Sequence, residues 1–316
     1  MKYLRINKDI LATLTYFNMF DYPLRKSEIF SFLSHCDNFA EFDRVLNNLT
    51  NDSVVFKLGD FYSLQDNHLI AERRIKGNEK AARMLKKAGK VAAVISSFPY
   101  VKGVAISGSL SKHFADETAD VDFFIITTAN RLWIARTILH LFKKITFLFK
   151  MQDLFCMNYF IDEAEPCIIE KNLYTAMEIA TVLPLYGKNV FDEFYEANIW
   201  TRIFFPNKYT DTHSTKSVGS TLFKNITEKA FNYPFGNMLD NYLMKLTAKR
   251  WAAKTLLKKK NSKGYLMSIC TDKHFSKPNP EHFQKVLLQK YENSLADIYK
   301  RLEHPNNIND SSFSVR

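Results

Sequence analysis

A β-branched run, Val101-Lys102-Gly103-Val104-Ala105-Ile106-Ser107, stops at Gly108-Ser109. A second apolar run, Asp120-Val121-Asp122-Phe123-Phe124-Ile125-Ile126-Thr127, opens with two acids one residue apart. Between them lie a short polar helical stretch, Leu110 to Phe114, and a polar loop, Ala115 to Ala119. The pattern predicts strand, tight turn, helix, loop, strand, and no other stretch of the chain constrains the fold as much. Side chains at i and i+2 of a strand share a face, so Asp120 and Asp122 project together. Two carboxylates held that close repel unless a cation sits between them, which makes the pair a natural Mg²⁺ site. Gly108 lets the backbone approach a phosphate, Ser109 brings a hydroxyl, and the following helix start offers unpaired N–H groups. Ten residues separate Ser109 from Asp120, enough for a short helix and a return. Phosphate donors and a metal pair converging on one sheet face suit in-line nucleotidyl transfer.

Gly108-Ser109, ten residues, then Asp120-Val121-Asp122 with apolar flanks resembles the signature of the DNA polymerase β-like nucleotidyltransferase superfamily. The strand–helix–strand context extends the resemblance to roughly residues 95–165. The resemblance implies a small mixed sheet, transfer of a nucleoside monophosphate from an NTP, and two Mg²⁺ ions. It implies that Gly108 and Ser109 hold the triphosphate and that Asp120 and Asp122 bind metal. Lys112, on the connecting helix, either reaches a phosphate or is a surface lysine.

Active members carry a third carboxylate on a neighbouring strand, where it assists deprotonation of the acceptor hydroxyl. After a helix, Arg131 to Phe149, the expected strand is Leu154 to Ile161, and its interior polar residue is Asn158. Asn158 is the candidate for that catalytic position, yet an amide can lend a carbonyl oxygen to a metal and cannot act as a base. Asp153 before the strand, Asp162 after it, and Glu178 on a helix expected over Leu173 to Leu183 are alternatives.

Upstream, residues 7–20 carry Ile10, Leu11, Leu14 and Phe17 at helical spacing, and Pro23 stops the chain. A second helix is expected from Glu28 to Leu33 and a third from Phe39 to Leu49. Two β-like runs, Val54 to Lys57 and Phe61 to Leu64, flank Gly59-Asp60 as a hairpin. Three helices and a hairpin outline a winged helix-turn-helix. Its third helix bears Glu41, Asp43 and Arg44, the wrong charge for a major-groove reader, so a structural or protein-contact module is expected. The organisation read from the chain is a winged-helix-like unit at 1–66, a basic helical connector at 67–97, a nucleotidyltransferase core at 98–170 and a helical region at 171–316. The fold class is α+β or α/β. With 27 Phe and 15 Tyr against only nine Gly and nine Pro, wholesale disorder and a turn-rich sandwich are both excluded.

The net charge of +11 concerns partners, not fold. Residues 207–263 hold twelve Lys and Arg (Lys208, Lys216, Lys224, Lys229, Lys245, Lys249, Arg250, Lys254, Lys258, Lys259, Lys260 and Lys263) against Asp211, Glu228 and Asp240, a local excess of +9. A basic amphipathic helix over 237–260 is a solvated face or a surface for an anion or nucleic acid. A last amphipathic helix is expected over 280–302, with a polar tail from Pro305. None of Cys36, Cys156, Cys167 and Cys270 forms a CxxC pair, and Cys156 and Cys270 read as buried free thiols. No signal peptide is read at the N-terminus, and Leu132 to Phe149 carries Arg136, His140, Lys143 and Lys144, too many charges for a membrane span. A cytoplasmic location is expected. The expected partners are an NTP and an unidentified hydroxyl or phosphate acceptor. A catalytically degenerate nucleotide-binding or regulatory protein of the same fold is the alternative, and a nucleic-acid-binding protein is possible but not favoured.

Overall fold

A computed structural model describes residues 2–35, 38–146, 156–232, 234–257, 269–278 and 281–303. The chain is a mixed α and β protein and divides into two compact units, residues 1–75 with 202–208 and 281–316, and residues 76–201 with 209–280.

In the first unit, helix α1 (Lys2–Asn18) buries Ile6, Ile10, Leu14 and Phe17, the spacing that one helical face requires. It begins five residues before the expected start at residue 7. Strand β1 (Leu24–Arg25) and helix α2 (Lys26–Ser31) follow, the Arg25 amide donating to Glu28 Oε2 at 2.8 Å. Helix α3 (Phe39–Asn51) is capped by Asn38, whose side chain accepts from the Ala40 amide at 2.8 Å, and it buries Phe42, Val45, Leu46 and Leu49. Strands β2 (Phe56–Leu58) and β3 (Phe61–Ser63) form the expected hairpin. The two-residue β1, not anticipated, adds to β3 and gives the antiparallel order β1-β3-β2. Arg74 is buried against the Tyr22 ring, 3.7 Å from its centroid, and pairs with Glu28 at 2.7 Å. A desolvated guanidinium is tolerable with both an aromatic face and a carboxylate. Helix α11 (Glu281–Glu303) packs on α1, with Tyr291 against Tyr16 and the Tyr299 hydroxyl donating to Lys8 O at 3.3 Å. Asn207 donates to Phe30 O and His35 O, both at 3.1 Å, which ties segment 202–208 to the same unit.

Helix α4 (His68–Ser96), a single 29-residue helix, carries the chain into the second unit. There the sheet has the order β7-β4-β5-β6-β9-β8. Its members are β4 (Val101–Ser107), β5 (Asp122–Thr127), β6 (Cys156–Asp162), β7 (Leu183–Tyr186), β8 (Ile269–Thr271) and β9 (Phe275–Pro278). Only β5 and β6 pair in parallel, which demands a crossover; helix α6 (Leu132–Thr146) lies within it. Val104, Ile106, Phe123, Ile125 and Met157 form one core with Ala88, Ala92 and Ile95 of α4 and Leu132 and Leu139 of α6. Toward helices α7 (Leu173–Ala180) and α8 (Lys188–Ala197), the Phe124 ring lies 5.0 Å from that of Phe194. Gly187 turns β7 into α8 at φ +91, where a Cβ would meet Lys102 O at 2.1 Å, so only glycine fits.

The region from 171 onward, read as helical, supplies three of the six strands. Helix α7 ends at Ala180, and Leu183-Pro184-Leu185-Tyr186, read as helix end and breaker, pairs with β4 instead. Pro184 is accommodated because β7 is an edge strand and needs no second ladder of amide donors. Helices α9 (Leu222–Phe231) and α10 (Pro234–Leu256) follow, α10 being the expected basic helix, with 258–260 outside the described residues. Among the described residues no helix is long and apolar enough to cross a membrane.

Asp240 of α10 caps α6: its Oδ1 accepts from the Ile134 amide at 2.9 Å, while Oδ2 is buried with no hydrogen-bond partner among the described residues. Burial pushes this carboxyl up to about 6 against the backbone donors that stabilise its charge. A folded-state value above the unfolded one means the folded protein holds the proton through that window. Stability from Asp240 is therefore full below about pH 4 and falls as pH rises to about 6. Asp240→Asn, which keeps the Oδ1 acceptor, is expected to raise unfolding free energy at pH 8 by on the order of 1–2 kcal/mol and leave it unchanged at pH 4. Urea denaturation at the two pH values measures this; equal effects at both would contradict it.

Candidate functional site

The two strands of the opening motif pair antiparallel with Ser107 opposite Asp122, so the end of β4 and the start of β5 meet at one end of the sheet's central strands. Gly108 leaves β4 at φ +71, a conformation that side chains disfavour. A Cβ there would also lie 2.9 Å from Asp122 Oδ2. The glycine is thus required twice, by its backbone angle and by the carboxylate packed against it. The chain then makes one helical turn, α5 (Gly108–Ser111), with Ser109 exposed at its start. A single turn has little macrodipole, so what this turn offers an anion is the local N–H groups and the Ser109 hydroxyl.

Strand β5 begins at Asp122, leaving Asp120 in the loop before it, a correction to the strand read from Asp120. The two acids nevertheless converge. One ligand atom each from Asp120, Asp122 and Cys156 lie within 4.8 Å of one another, and all three residues are partly exposed. Cys156 comes from β6, directly opposite Asp122 in the parallel register. Burial, and then the Asp122 carboxylate, push its thiol up to about 12.

Asn158 reaches the site by a different route. The pairing steps from Phe123 with Met157 to Phe124 with Tyr159, so Asn158 is the extra residue of a β-bulge. It is exposed, and its Nδ2 donates to Asp122 Oδ1 at 3.2 Å. The amide orients Asp122 rather than presenting a carbonyl oxygen to the acid pair.

Lys112 and Glu178, read separately as a phosphate contact and a substitute base, form one ion pair at 2.7 Å. Lys112 Nζ also donates to Gly108 O at 3.2 Å, which holds the pair beside the glycine turn. Helix α7 adds Tyr174, whose hydroxyl is raised by burial and then by the charges of Glu178 and Asp122. Neither Tyr174 nor Cys156 was singled out as a site residue by sequence. The available signal was parity, since Cys156 stands two residues before Asn158 on one strand.

Asp162 is elsewhere. It pairs with Thr127 at the opposite end of β5, about 16–17 Å along the strand from Asp122. It is fully buried and accepts from the Asn130 amide at 2.9 Å, the Ala164 amide at 3.1 Å and His274 Nδ1 at 3.0 Å. Asp162 anchors that end of the sheet and cannot serve as the third acid. Asp153 lies outside the described residues, as do Lys258, Lys259, Lys260 and Lys263. The basic region is not one uniform patch. Lys208 is desolvated in the first unit beside the Phe32 ring, and Lys224 is buried, donating to Val101 O at 2.7 Å. Lys229, Lys245, Lys249 and Arg250 are exposed.

Gly108→Ala is expected to lower unfolding free energy by about 1–3 kcal/mol, from the positive φ and the displaced Asp122 carboxylate together. Denaturant titration checks this, and an unchanged midpoint would show that the turn is not constrained as described. Compared with known proteins, the chain matches no family model, no curated protein and no solved structure.

Proposed function

We propose that the second unit is a divalent-cation-dependent nucleotidyltransferase core that transfers a nucleoside monophosphate from an NTP to a hydroxyl or phosphate acceptor. The observation that carries this is the convergence of the Gly108 turn with Asp120 and Asp122 at one end of the central strands. The antiparallel β4–β5 pair followed by a parallel β5–β6 pair supports it, since the superfamily resemblance implies a small mixed sheet.

Asp120 and Asp122 are suited by charge and spacing to hold a divalent cation, Mg²⁺ being the ion that the resemblance implies. A bound cation would supply neutralisation of the triphosphate charge. The amides after Gly108 and the Ser109 hydroxyl receive phosphate oxygens at the turn. Lys112 is already beside that turn, held by Glu178. When a phosphate draws Lys112 to itself, the Glu178 carboxylate is released and can take the proton of the acceptor hydroxyl. Asn158 keeps Asp122 in orientation.

The N-terminal unit reads as a winged-helix module that makes a protein contact. Exposed positions of α3 include Phe39, Arg44, Asn47 and Asn48, and Asp43 pairs with Lys26, a surface poorly suited to phosphates. A second reading, a nucleotide-binding protein without transferase activity, is favoured by one observation: the residues that β6 brings to Asp122 are Cys156 and Asn158, and neither is the acid that the resemblance implies on a neighbouring strand.

Calorimetry with each NTP and Mg²⁺ tests the shared claim. Binding is expected for at least one nucleotide, with loss of at least about 100-fold, or 2.7 kcal/mol, in Asp120→Ala/Asp122→Ala. No binding, or binding indifferent to the double change, would sink both readings. Label transfer from the bound nucleotide to an acceptor in a lysate separates them, because only the transferase yields a labelled product. Glu178→Gln is expected to slow that transfer at least 10-fold with nucleotide affinity held within about 2-fold.

A further inference from the structure

The donor set at the ends of β5 and β6 does not match the cation that the sequence implies. Mg²⁺ takes oxygen ligands in a near-octahedral shell and keeps several waters, and it has no affinity for sulfur. Two of the three convergent ligand atoms here are carboxylate oxygens, and the third is the Cys156 sulfur, all within 4.8 Å. The sulfur is not a loose neighbour. Cys156 is held by the β5–β6 ladder directly opposite Asp122, and the strands set that approach. On the other side of Asp122, the missing Cβ of Gly108 leaves room for Oδ2, and the Asn158 amide engages Oδ1. Asp122 is therefore oriented from both flanks, with the thiol beside it. Asn158 is engaged as a donor to the carboxylate, and among the described His, Cys, Asp and Glu side chains Cys156 is the third candidate ligand beside the two acids.

From this donor chemistry we infer that Asp120, Asp122 and Cys156 form a mixed oxygen–sulfur site for a thiophilic divalent cation of the Zn²⁺ and Co²⁺ class, in preference to Mg²⁺. Borderline cations accept carboxylate and thiolate together and bind N/O/S sites more tightly than Mg²⁺ does. Cys156 is then the residue that sets cation choice. The inference deepens the proposed function and rests on that reading's assignment of Asp120 and Asp122 as cation ligands.

Co²⁺ titration of the full chain, stripped with a chelator beforehand, reads the site without any assay of activity. A thiolate bound to Co²⁺ gives a ligand-to-metal charge-transfer band in the near ultraviolet, and calorimetry gives the Co²⁺ and Mg²⁺ affinities in parallel. The wild-type chain is expected to show the band and to bind Co²⁺ at least about 100-fold more tightly than Mg²⁺. Cys156→Ser is expected to lose the band and at least about 10-fold in Co²⁺ affinity, with Mg²⁺ affinity within about 2-fold of wild type. Cys156→Asp, which restores an oxygen ligand, is expected to lose the band and gain Mg²⁺ affinity; a merely misfolded site would lose both cations. Asp120→Asn/Asp122→Asn is expected to abolish the band.

A band that persists in Cys156→Ser would place the cation on another thiol and overturn the inference. So would wild-type Mg²⁺ binding as tight as that of Co²⁺. Co²⁺ binding that gives no band, yet depends on the two aspartates, would overturn the role of Cys156 alone and leave the proposed cation pair standing. Failure to bind either cation would overturn the inference and, with it, the assignment of the acid pair.

Discussion

The candidate site depends on one close approach, that of the Asp122 carboxylate to the Cα of Gly108 across the β4–β5 pair. A Cβ at position 108 would lie 2.9 Å from Oδ2, so a larger residue has to displace the carboxylate, and the positive φ of 71° separately favours glycine. Once the approach is made, the register of β4 and β5 is constrained, because a slip by one residue would send Asp122 to the other face and the apolar Val121 to the site. The same register commits Phe123 and Ile125 to the core shared with α4 and α6, and Phe124 to the aromatic layer with Phe194. Local turn and global core therefore specify the same pairing, the kind of agreement between levels by which a sequence selects one structure.

On the other flank of Asp122 the constraint is the parallel β5–β6 pair. Cys156 is placed by the ladder and Asn158 by a bulge, so two polar residues of β6 meet one acid of β5. A regular strand would put Tyr159 opposite Ile125; the bulge brings it instead to Phe124, with ring centroids 5.0 Å apart. Aromatic packing of that kind helps hold the irregular register, which in turn directs the Asn158 amide to the carboxylate. Positioning by strands rather than by long loops keeps such a constellation stiff.

This explains what the sequence could and could not reveal. Strands β4 and β5 are seven and six residues of β-branched and aromatic side chains, long enough for composition to declare them. The acid pair and the glycine are local features and were readable by spacing. Strands β7, β8 and β9 have only three or four residues, too few for a period, and Pro184 reads as a breaker until the edge position of β7 is known. Cys156 was hidden for a different reason. Counting along a strand finds parity but cannot say which residue stands opposite a partner on another strand, and a bulge breaks the count. The ion pair of Lys112 with Glu178 joins residues 66 apart, so each looked like an independent surface charge.

On the proposed function, that ion pair decides how phosphate binding would be coupled to the rest of the site. Both partners are largely withdrawn from solvent, with side-chain exposures of 17% and 29%, so separating them leaves each charge poorly hydrated. An incoming phosphate has to offer Lys112 an interaction at least as good as the carboxylate it leaves. A triphosphate, with several charged oxygens, meets that requirement more readily than a single weakly charged group does. On the proposed function, Glu178 is then left without its cation partner, still near enough to Tyr174 for its charge to act on that hydroxyl. On that proposal the exchange links occupancy of the Gly108 turn to release of the Glu178 carboxylate. On the same proposal, a site to which β6 brings Cys156 and Asn158 but no acid gains a free carboxylate only when its anionic ligand is present.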